Sequence, residues 1–187
     1  ERDRFVGFVL DGVESIDEKH HIRNHATFLD NNTLQVGDSI IEAKTVVIAT
    51  GSSPVLLPEF KELGKCLIVN DDIFNWQTLP DSVAVFGPGV IGLELGQALH
   101  RLGVRIRLFG RSGSLKPLTD IGIRDYALDI FQKEFPLDAK ANVLGMELKG
   151  DQVMIRFVDR EDGLEKIENF DYVLAATGRN PNVKDLG

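Results

Sequence analysis

The sequence predicts an α/β fold in which a parallel sheet is accompanied by an antiparallel three-stranded meander. An apolar strand at 83–86, a helix at 90–102 and a second apolar strand at 104–109 follow one another with short turns. This is the order of a β-α-β unit, whose two strands run parallel. Three later strands are separated only by tight turns, which favours antiparallel pairing. They lie around 141–148, 152–158 and 164–169.

Length and composition limit the class of protein. The 187 residues allow one domain with a substantial core and a partial second unit. Hydrophobic residues make up 43% of the chain, yet no apolar run approaches the roughly 18 residues that a membrane span needs. The net charge of −8 argues against a nucleic-acid surface, which would need clustered Lys and Arg. We expect a soluble, cytoplasmic protein that binds neither membranes nor nucleic acid.

The first fifty residues predict a helix followed by short strands. Apolar or small residues at 5, 8, 9, 12 and 13 share one helical face, which predicts a helix over about the first fifteen residues. Short strands with turn signals follow, ending in an apolar strand at Thr45–Ala49. Because the chain starts at Glu1 without Met or a leader pattern, we expect an excised fragment without a signal peptide.

The next segment, residues 53–80, predicts a connector. It contains Pro54, Pro58 and Pro80 with mixed polarity, and a single short helical piece is expected around 71–76. A further amphipathic helix is expected from about 120 to 135.

One sequence pattern occurs twice. Ala49-Thr50-Gly51 and Ala176-Thr177-Gly178 each follow an apolar strand and precede a proline three residues after the glycine. The repeat indicates two crossings between linked domains.

The clearest chemical motif is a glycine-rich turn at 87–92, with the form G-x-G-x-x-G. It follows a strand and opens a helix, which is the context that a dinucleotide-binding site requires. Gly87 would allow the tight turn, Gly89 would let the backbone approach a pyrophosphate, and Gly92 would permit close helix–strand contact. The motif therefore predicts a Rossmann-like NAD(P)-binding domain.

The first helical turn is expected to supply the hydrogen bonds to phosphate. Pro88 has no backbone N–H, so the donors would be those near Val90 and Ile91. The alternative is an ordinary glycine-rich turn, which the surrounding strand, helix and second strand make less favourable.

The choice between NAD(H) and NADP(H) stays open. No Asp or Glu occurs between Glu94 and Asp120, whereas Arg111 lies just beyond the second strand. An arginine there would accept the 2′-phosphate of NADP, and an acidic residue would bind the ribose hydroxyl of NAD. Alternatively, Arg111 is a solvated surface charge.

Three segments resemble the pyridine nucleotide-disulfide oxidoreductase family. They are IVNDDIFNWQTLPDSVAVFGPGVIGLELGQALHRLG, VVIATGSSP and VLAATGRNPNV. The resemblance covers essentially the whole chain and implies the middle of a family member. It implies a partial FAD-binding segment, a connector, an NAD(P)-binding domain and a return crossing, at 1–52, 53–80, 81–177 and 178–187.

The resemblance also implies roles for single residues. Thr50 and Gly51 would lie near the FAD, and Gly178 near the nicotinamide cofactor. Glu94 is similar to the glutamate that helps place the nicotinamide beside the flavin, with a solvated helix residue as the alternative. Gly92 is typical of members that use NAD, whereas Arg111 is typical of those that use NADP.

Several parts of the family pattern do not occur in this sequence. The glycine motif that holds FAD, the paired redox cysteines and the C-terminal dimerisation domain with its catalytic histidine are not in the chain. We therefore expect no catalytic residue here and no activity from the fragment alone. FAD and a homodimer would belong to the full-length parent, and the fragment could be a monomer.

The single cysteine and the histidines near the N-terminus do not indicate a catalytic or metal-binding site. Cys66 is the only cysteine and is interpreted as a structural or incidental thiol. His20, His21 and His25 lack suitably spaced partners for a metal site.

The predicted function is to bind NAD(P)H and present it to a flavin, in a reaction like that of dihydrolipoamide dehydrogenase. Two alternatives stay open. One is the corresponding part of a flavoprotein without redox cysteines, such as an NADH oxidase, a transhydrogenase or a ferredoxin reductase. The other is a non-catalytic module that only binds a dinucleotide; a purely structural remnant is a third, weaker possibility.

Overall fold

The computed structural model describes residues 1–187 and divides into two compact units. The flanking unit comprises residues 1–51 and 181–187, and the central unit comprises residues 52–180. No helix in the structure combines the length and apolar character needed to cross a bilayer.

The flanking unit consists of one helix, one 3-10 turn and a small antiparallel sheet. Its elements are α1 (Arg2–Glu14), a 3-10 helix (Glu18–His20), β1 (Ala26–Phe28), β2 (Thr33–Val36) and β3 (Ser39–Glu42), with sheet order β1-β2-β3. Asp30 forms the first turn, because its carboxylate accepts hydrogen bonds from the backbone N–H groups of Asn32 and Thr33, both at 2.9 Å. Val36 is the single buried hydrophobic residue of this unit.

The predicted strand at Thr45–Ala49 is wrong. These residues form no hydrogen-bonded strand, and Val47 is 83% exposed. A strand exists only when a neighbouring strand accepts and donates its backbone hydrogen bonds. The sheet of the flanking unit is composed of β1, β2 and β3 alone, so the segment has no such neighbour.

The elements from residue 52 onward alternate strands and helices. They are β4 (Ser52–Pro54), a 3-10 helix (Pro58–Cys66), β5 (Leu67–Ile68), α2 (Asn70–Ile73), β6 (Ser82–Phe86), α3 (Val90–Arg101), β7 (Arg105–Phe109), α4 (Ile121–Glu134), β8 (Leu137–Asp138), β9 (Asn142–Lys149), β10 (Gln152–Val158), β11 (Glu165–Phe170), β12 (Tyr172–Ala175) and β13 (Arg179–Pro181).

A five-stranded parallel sheet forms the centre of this unit, with strand order β5-β12-β6-β7-β8. β9, β10 and β11 form a separate antiparallel meander, and β4 pairs with β13 in a two-stranded sheet. The predicted α/β fold with a parallel sheet and a meander is confirmed.

Both faces of the parallel sheet are covered, as continuous apolar strands require. Every residue of β6 is buried, and alternate residues belong to two different cores. Val83 and Val85 pack in the core that includes residues of α3, whereas Ala84 and Phe86 pack with the meander. The sheet is therefore covered on both of its faces.

An aromatic series links the sheet to the meander. The rings of Phe60, Phe86, Phe109 and Phe157 follow one another with centroid separations of 5.3, 5.0 and 5.2 Å. Aromatic pairs at such separations stabilise a core beyond their burial alone. The series runs from the 3-10 helix through β6 and β7 to β10.

The predicted connector also contributes to this core. Phe60 and Leu63 share one face of the 3-10 helix, Cys66 follows a non-helical residue at Gly64 (φ +52°), and all three are at most 2% exposed. β5 then pairs with β12 at the edge of the sheet. Residues 58–68 are thus part of the packed central unit and contribute to its core and its parallel sheet.

Candidate functional site

The turn between β6 and α3 requires glycine at its first position. Gly87 has φ of +113°, and a Cβ there would overlap the carbonyl of Ala176, with the carbonyl carbon only 2.8 Å away. The Gly87 N–H donates to the Phe109 carbonyl at 2.9 Å. The tight turn expected from the sequence is therefore held between β12 and β7.

The other two motif glycines differ in their surroundings. A Cβ at Gly92 would overlap the carbonyl oxygen of Gly87, so this position allows the helix to approach the turn closely. A Cβ at Gly89 would meet nothing within 4 Å. Gly89 is also the N-cap of α3, where the first helical N–H groups and the positive end of the helix dipole favour an anion. The open space lies where a pyrophosphate would need room.

A cavity of about 930 Å³ contains this turn. Its walls come from residues 57–59, 62, 86–89, 109–112, 114, 116, 141–146 and 176–178. Cavities of this size accommodate small-molecule ligands and cofactors. Because the carboxyl ends of parallel strands in an open sheet face such a crevice, β6, β7 and β12 all deliver residues to it.

Four of the predicted site residues line the cavity, namely Gly87, Gly89, Arg111 and Gly178. The other residues predicted in the central unit lie elsewhere. Val90 and Glu94 are exposed on α3, Ile91 is half-buried and Gly92 is buried, and none of them lines the cavity. Their expected contacts with a cofactor stay predictions.

Thr50 and Gly51 lie in the flanking unit. The Thr50 hydroxyl donates to the Asn182 carbonyl at 2.6 Å, and the Asn182 N–H donates to the Gly51 carbonyl at 3.0 Å. Gly51 has φ of +72°, a conformation that favours glycine. Their expected place near a flavin also stays a prediction.

The family model for pyridine nucleotide-disulphide oxidoreductases matches residues 9–187. The chain belongs to this family. Members of the pyridine nucleotide-disulphide oxidoreductase family are FAD-dependent and use NAD(P)H.

Curated relatives include two dihydrolipoyl dehydrogenases. The Buchnera aphidicola (subsp. Schizaphis graminum) protein is 26% identical over 100% of this chain, and the Staphylococcus aureus protein is 32% identical over 97% of it. A mercuric reductase from S. aureus is 32% identical over 88% of the chain. The chain spans 40% of the length of each dihydrolipoyl dehydrogenase and 30% of the mercuric reductase.

Solved structures show the same fold. The flavoprotein disulfide reductase RclA from Escherichia coli aligns with a TM-score of 0.69 at 22% identity, covering 87% of this chain and 37% of its own. LpdA from Mycobacterium tuberculosis aligns with a TM-score of 0.68 at 24% identity, covering 88% of this chain and 37% of its own.

Within this family member, the sequence reasoning missed the contribution of the 3-10 helix to the cavity. Glu59 lines the cavity and lies 3.7 Å from Arg111, measured from Oε1 to Nη1. Two sequence features were available to find this helix. Pro58 stands at a first-turn position, which proline favours, and apolar residues recur every third position from Phe60.

The Cys66 thiol is not among the residues that line the cavity. Cys66 is buried in the core that faces the meander, and its Sγ donates to the Asp151 carbonyl at 3.4 Å. Burial raises the pKa of this thiol, so the unreactive protonated form is favoured. These surroundings fit a structural residue.

The histidines of the N-terminal region lie in the flanking unit. The ring Nε2 of His25 is 3.0 Å from the Asp185 carbonyl oxygen. No group of three or more His, Cys, Asp or Glu side chains in the structure is arranged to hold a metal ion.

Proposed function

We propose that this chain is the NAD(P)H-binding portion of an FAD-dependent oxidoreductase of the dihydrolipoamide dehydrogenase type. The observation that supports the proposal is the turn at Gly87–Gly92, where two glycines are enforced by packing and the middle one opens onto empty space. A packing role alone would explain Gly87 and Gly92, but it would not explain Gly89. A phosphate group approaching the helix N-terminus would explain it.

The charges around the turn fit the same ligand. Lys116 lines the cavity and would offset part of the negative charge of a dinucleotide. When bound, the nicotinamide supplies the hydride that a flavin accepts. The residues of this chain would hold the dinucleotide and orient it. The flavin would be held mostly by other parts of the full-length protein.

The proposed type of parent enzyme is based on the relatives that align along most of the chain. The dihydrolipoyl dehydrogenases combine coverage of 97–100% of the chain with identities of up to 32%, whereas the mercuric reductase covers 88%. On this ground we favour a dihydrolipoamide dehydrogenase-like parent.

Calorimetric titration of the 187-residue chain with NADH and NADPH tests the proposal. The informative variant is Gly89→Val, because its side chain would enter open space in the free protein but would collide with a bound pyrophosphate. We expect the wild type to bind at least one of the two dinucleotides. We expect Gly89→Val to weaken that binding by more than about tenfold and to lower the unfolding midpoint only slightly, because valine is a poorer N-cap than glycine.

Two results would contradict the proposal. One is a well-folded wild type that binds neither dinucleotide. The other is Gly89→Val that binds as tightly as the wild type.

A further inference from the structure

The position that normally selects between NAD and NADP is blocked in this chain. In Rossmann-like domains an acidic side chain at the end of the second strand binds the ribose hydroxyl of NAD. Here β7 ends at Phe109, and the next residue, Gly110, is buried. A Cβ at Gly110 would lie 2.5 Å from the Ala139 carbonyl oxygen and 2.7 Å from Cγ of Pro88. Packing therefore excludes an acidic side chain from this position.

The carboxylates that line the cavity come from a different segment. They are Glu59 and Glu62, both in the 3-10 helix that precedes β5. Glu59 forms an ion pair with Arg111, with Oε1 and Nη1 3.7 Å apart. Arg111 is the residue just beyond Gly110, so this pair stands next to the blocked position. The side chains of Arg111 and Glu59 are 78% and 43% exposed, which leaves both accessible to a ligand.

The two dinucleotides differ in what they would offer to this pair. The adenosine ribose of NADH carries a 2′-hydroxyl, which can donate a hydrogen bond to a carboxylate. NADPH carries a phosphate of roughly two negative charges at the same place. Because Glu59 lies beside Arg111, that phosphate would meet a carboxylate together with the arginine, and like charges repel.

We propose that Glu59 is the specificity-determining residue of this site, selecting NADH over NADPH by holding Arg111 and supplying the carboxylate that β7 lacks. The inference rests on the proposed function, since it assigns the selectivity of the same cavity. It gives Arg111 a different role from that of an arginine that binds a 2′-phosphate. The guanidinium orients the carboxylate, and the carboxylate faces the ribose.

Parallel titrations with NADH and NADPH test the assignment in four proteins: wild type, Glu59→Gln, Arg111→Gln and the double variant. The wild type should bind NADH more tightly. Glu59→Gln should tighten NADPH binding by about tenfold, because Arg111 is released to pair with phosphate, and should weaken NADH binding, because the ribose hydroxyl loses its carboxylate acceptor. Arg111→Gln added to Glu59→Gln should remove that gain, and the gain should shrink at high salt.

Glu165→Gln is the matched control. Glu165 forms an exposed ion pair with Arg156 on the meander at 3.4 Å, and its side chain is about as exposed as that of Glu59. The substitution removes the same charge at a position outside the cavity lining, so the NADPH to NADH affinity ratio should stay within about twofold of the wild type.

The outcomes separate this inference from the proposed function. A wild type that prefers NADPH, or an unchanged affinity ratio in Glu59→Gln, would overturn the role of Glu59 while dinucleotide binding itself stands. An equal shift in Glu165→Gln would also overturn it, because the effect would then come from net charge. Binding of neither dinucleotide by any of the proteins would overturn the proposed function instead.

Discussion

Two glycines of α3 lie four residues apart and have opposite surroundings. A Cβ at Gly92 would overlap the Gly87 carbonyl oxygen, whereas a Cβ at Gly96 would make ordinary contacts of 3.8 Å with Val85, Ile106 and Leu108. Both positions are helical and buried. Substituting each glycine by alanine therefore distinguishes two effects. At Gly92 there is no room for a Cβ, whereas at Gly96 only the low helix propensity of glycine matters.

We predict that Gly92→Ala destabilises the chain by about 2 kcal/mol or more, because backbone atoms must move to relieve the overlap. Gly96→Ala should instead be neutral or stabilising by up to about 1 kcal/mol, since alanine is the better helix former. Urea unfolding of both variants gives the comparison. A Gly92→Ala variant as stable as the wild type would show that the close contact at Gly92 does not exist in solution.

For single residues, the sequence predicted the features that depend on the backbone conformation of a short segment. The requirement for glycine at Gly87 and Gly92 followed from the motif, and the structure supplies its cause in the carbonyls of Ala176 and Gly87. The proximity of Glu59 to Arg111 did not follow, because the two residues lie 52 positions apart (111 minus 59) and meet only through packing of the 3-10 helix. No local pattern encodes such a contact.

Among the elements, the 3-10 helix makes the sharpest contrast with its predicted role. Phe60 is fully buried and packs edge-on against Phe86, whereas Leu56 in the preceding stretch is 49% exposed. We predict that Phe60→Ala lowers the free energy of unfolding by about 3–5 kcal/mol, and that Leu56→Ala changes it by no more than about 0.5 kcal/mol. Denaturant unfolding measures both. A small effect of Phe60→Ala would show that residues 58–66 only connect the flanking elements and do not stabilise the core.

The turn between β10 and β11 depends on a buried carboxylate. Asp159 accepts a hydrogen bond from the Glu161 N–H at 2.9 Å, and its Oδ2 lies 3.1 Å from Lys166 Nζ and 3.6 Å from Arg107. The Glu161 hydrogen bond and then the Lys166 ammonium lower the pKa of Asp159. The ionised carboxylate of Asp159 is therefore more stable in the folded chain than in the unfolded chain.

We predict that Asp159→Asn destabilises the chain by about 1–2 kcal/mol at pH 7 and by less in acid. The sign follows from the lowered pKa: the contribution is complete above the unfolded value of about 3.9 and disappears as pH falls through the folded value. Urea unfolding of both proteins between pH 7 and pH 3 should show the gap closing below about pH 4. A gap that stays constant over this range would contradict the assignment.

Helices and strands were predictable from the sequence where capping or turn residues mark both of their ends. The helix at Val90–Arg101 ends before Gly103, whose φ of +93° suits a helix terminus, and the meander strands are separated by glycine turns. The apolar run at Thr45–Ala49 looked equally convincing as a strand. It failed because pairing depends on a neighbour, which an apolar pattern cannot supply.

Over the whole molecule, burial is distributed very unevenly. Of the buried hydrophobic residues only Val36 lies in the flanking unit, and all the others lie between residues 52 and 180. α1 has no buried residue, and Phe8 and Val9 are more than 60% exposed. Since hydrophobic burial is the main stabilising contribution, the two units should differ strongly in local stability.

Hydrogen exchange followed by mass spectrometry tests this difference and the candidate site together. We predict that amides of α1 exchange within seconds, because a 13-residue helix without buried side chains is marginal in water. Amides of β6 and β12 should exchange orders of magnitude more slowly, since both strands lie inside the parallel sheet. Added NADH should slow exchange around Gly89–Gly92 and leave α1 unchanged. If α1 were as protected as β6, its exposed apolar face would be covered in solution, and loss of that protection on dilution would identify a second copy of the chain as the cover.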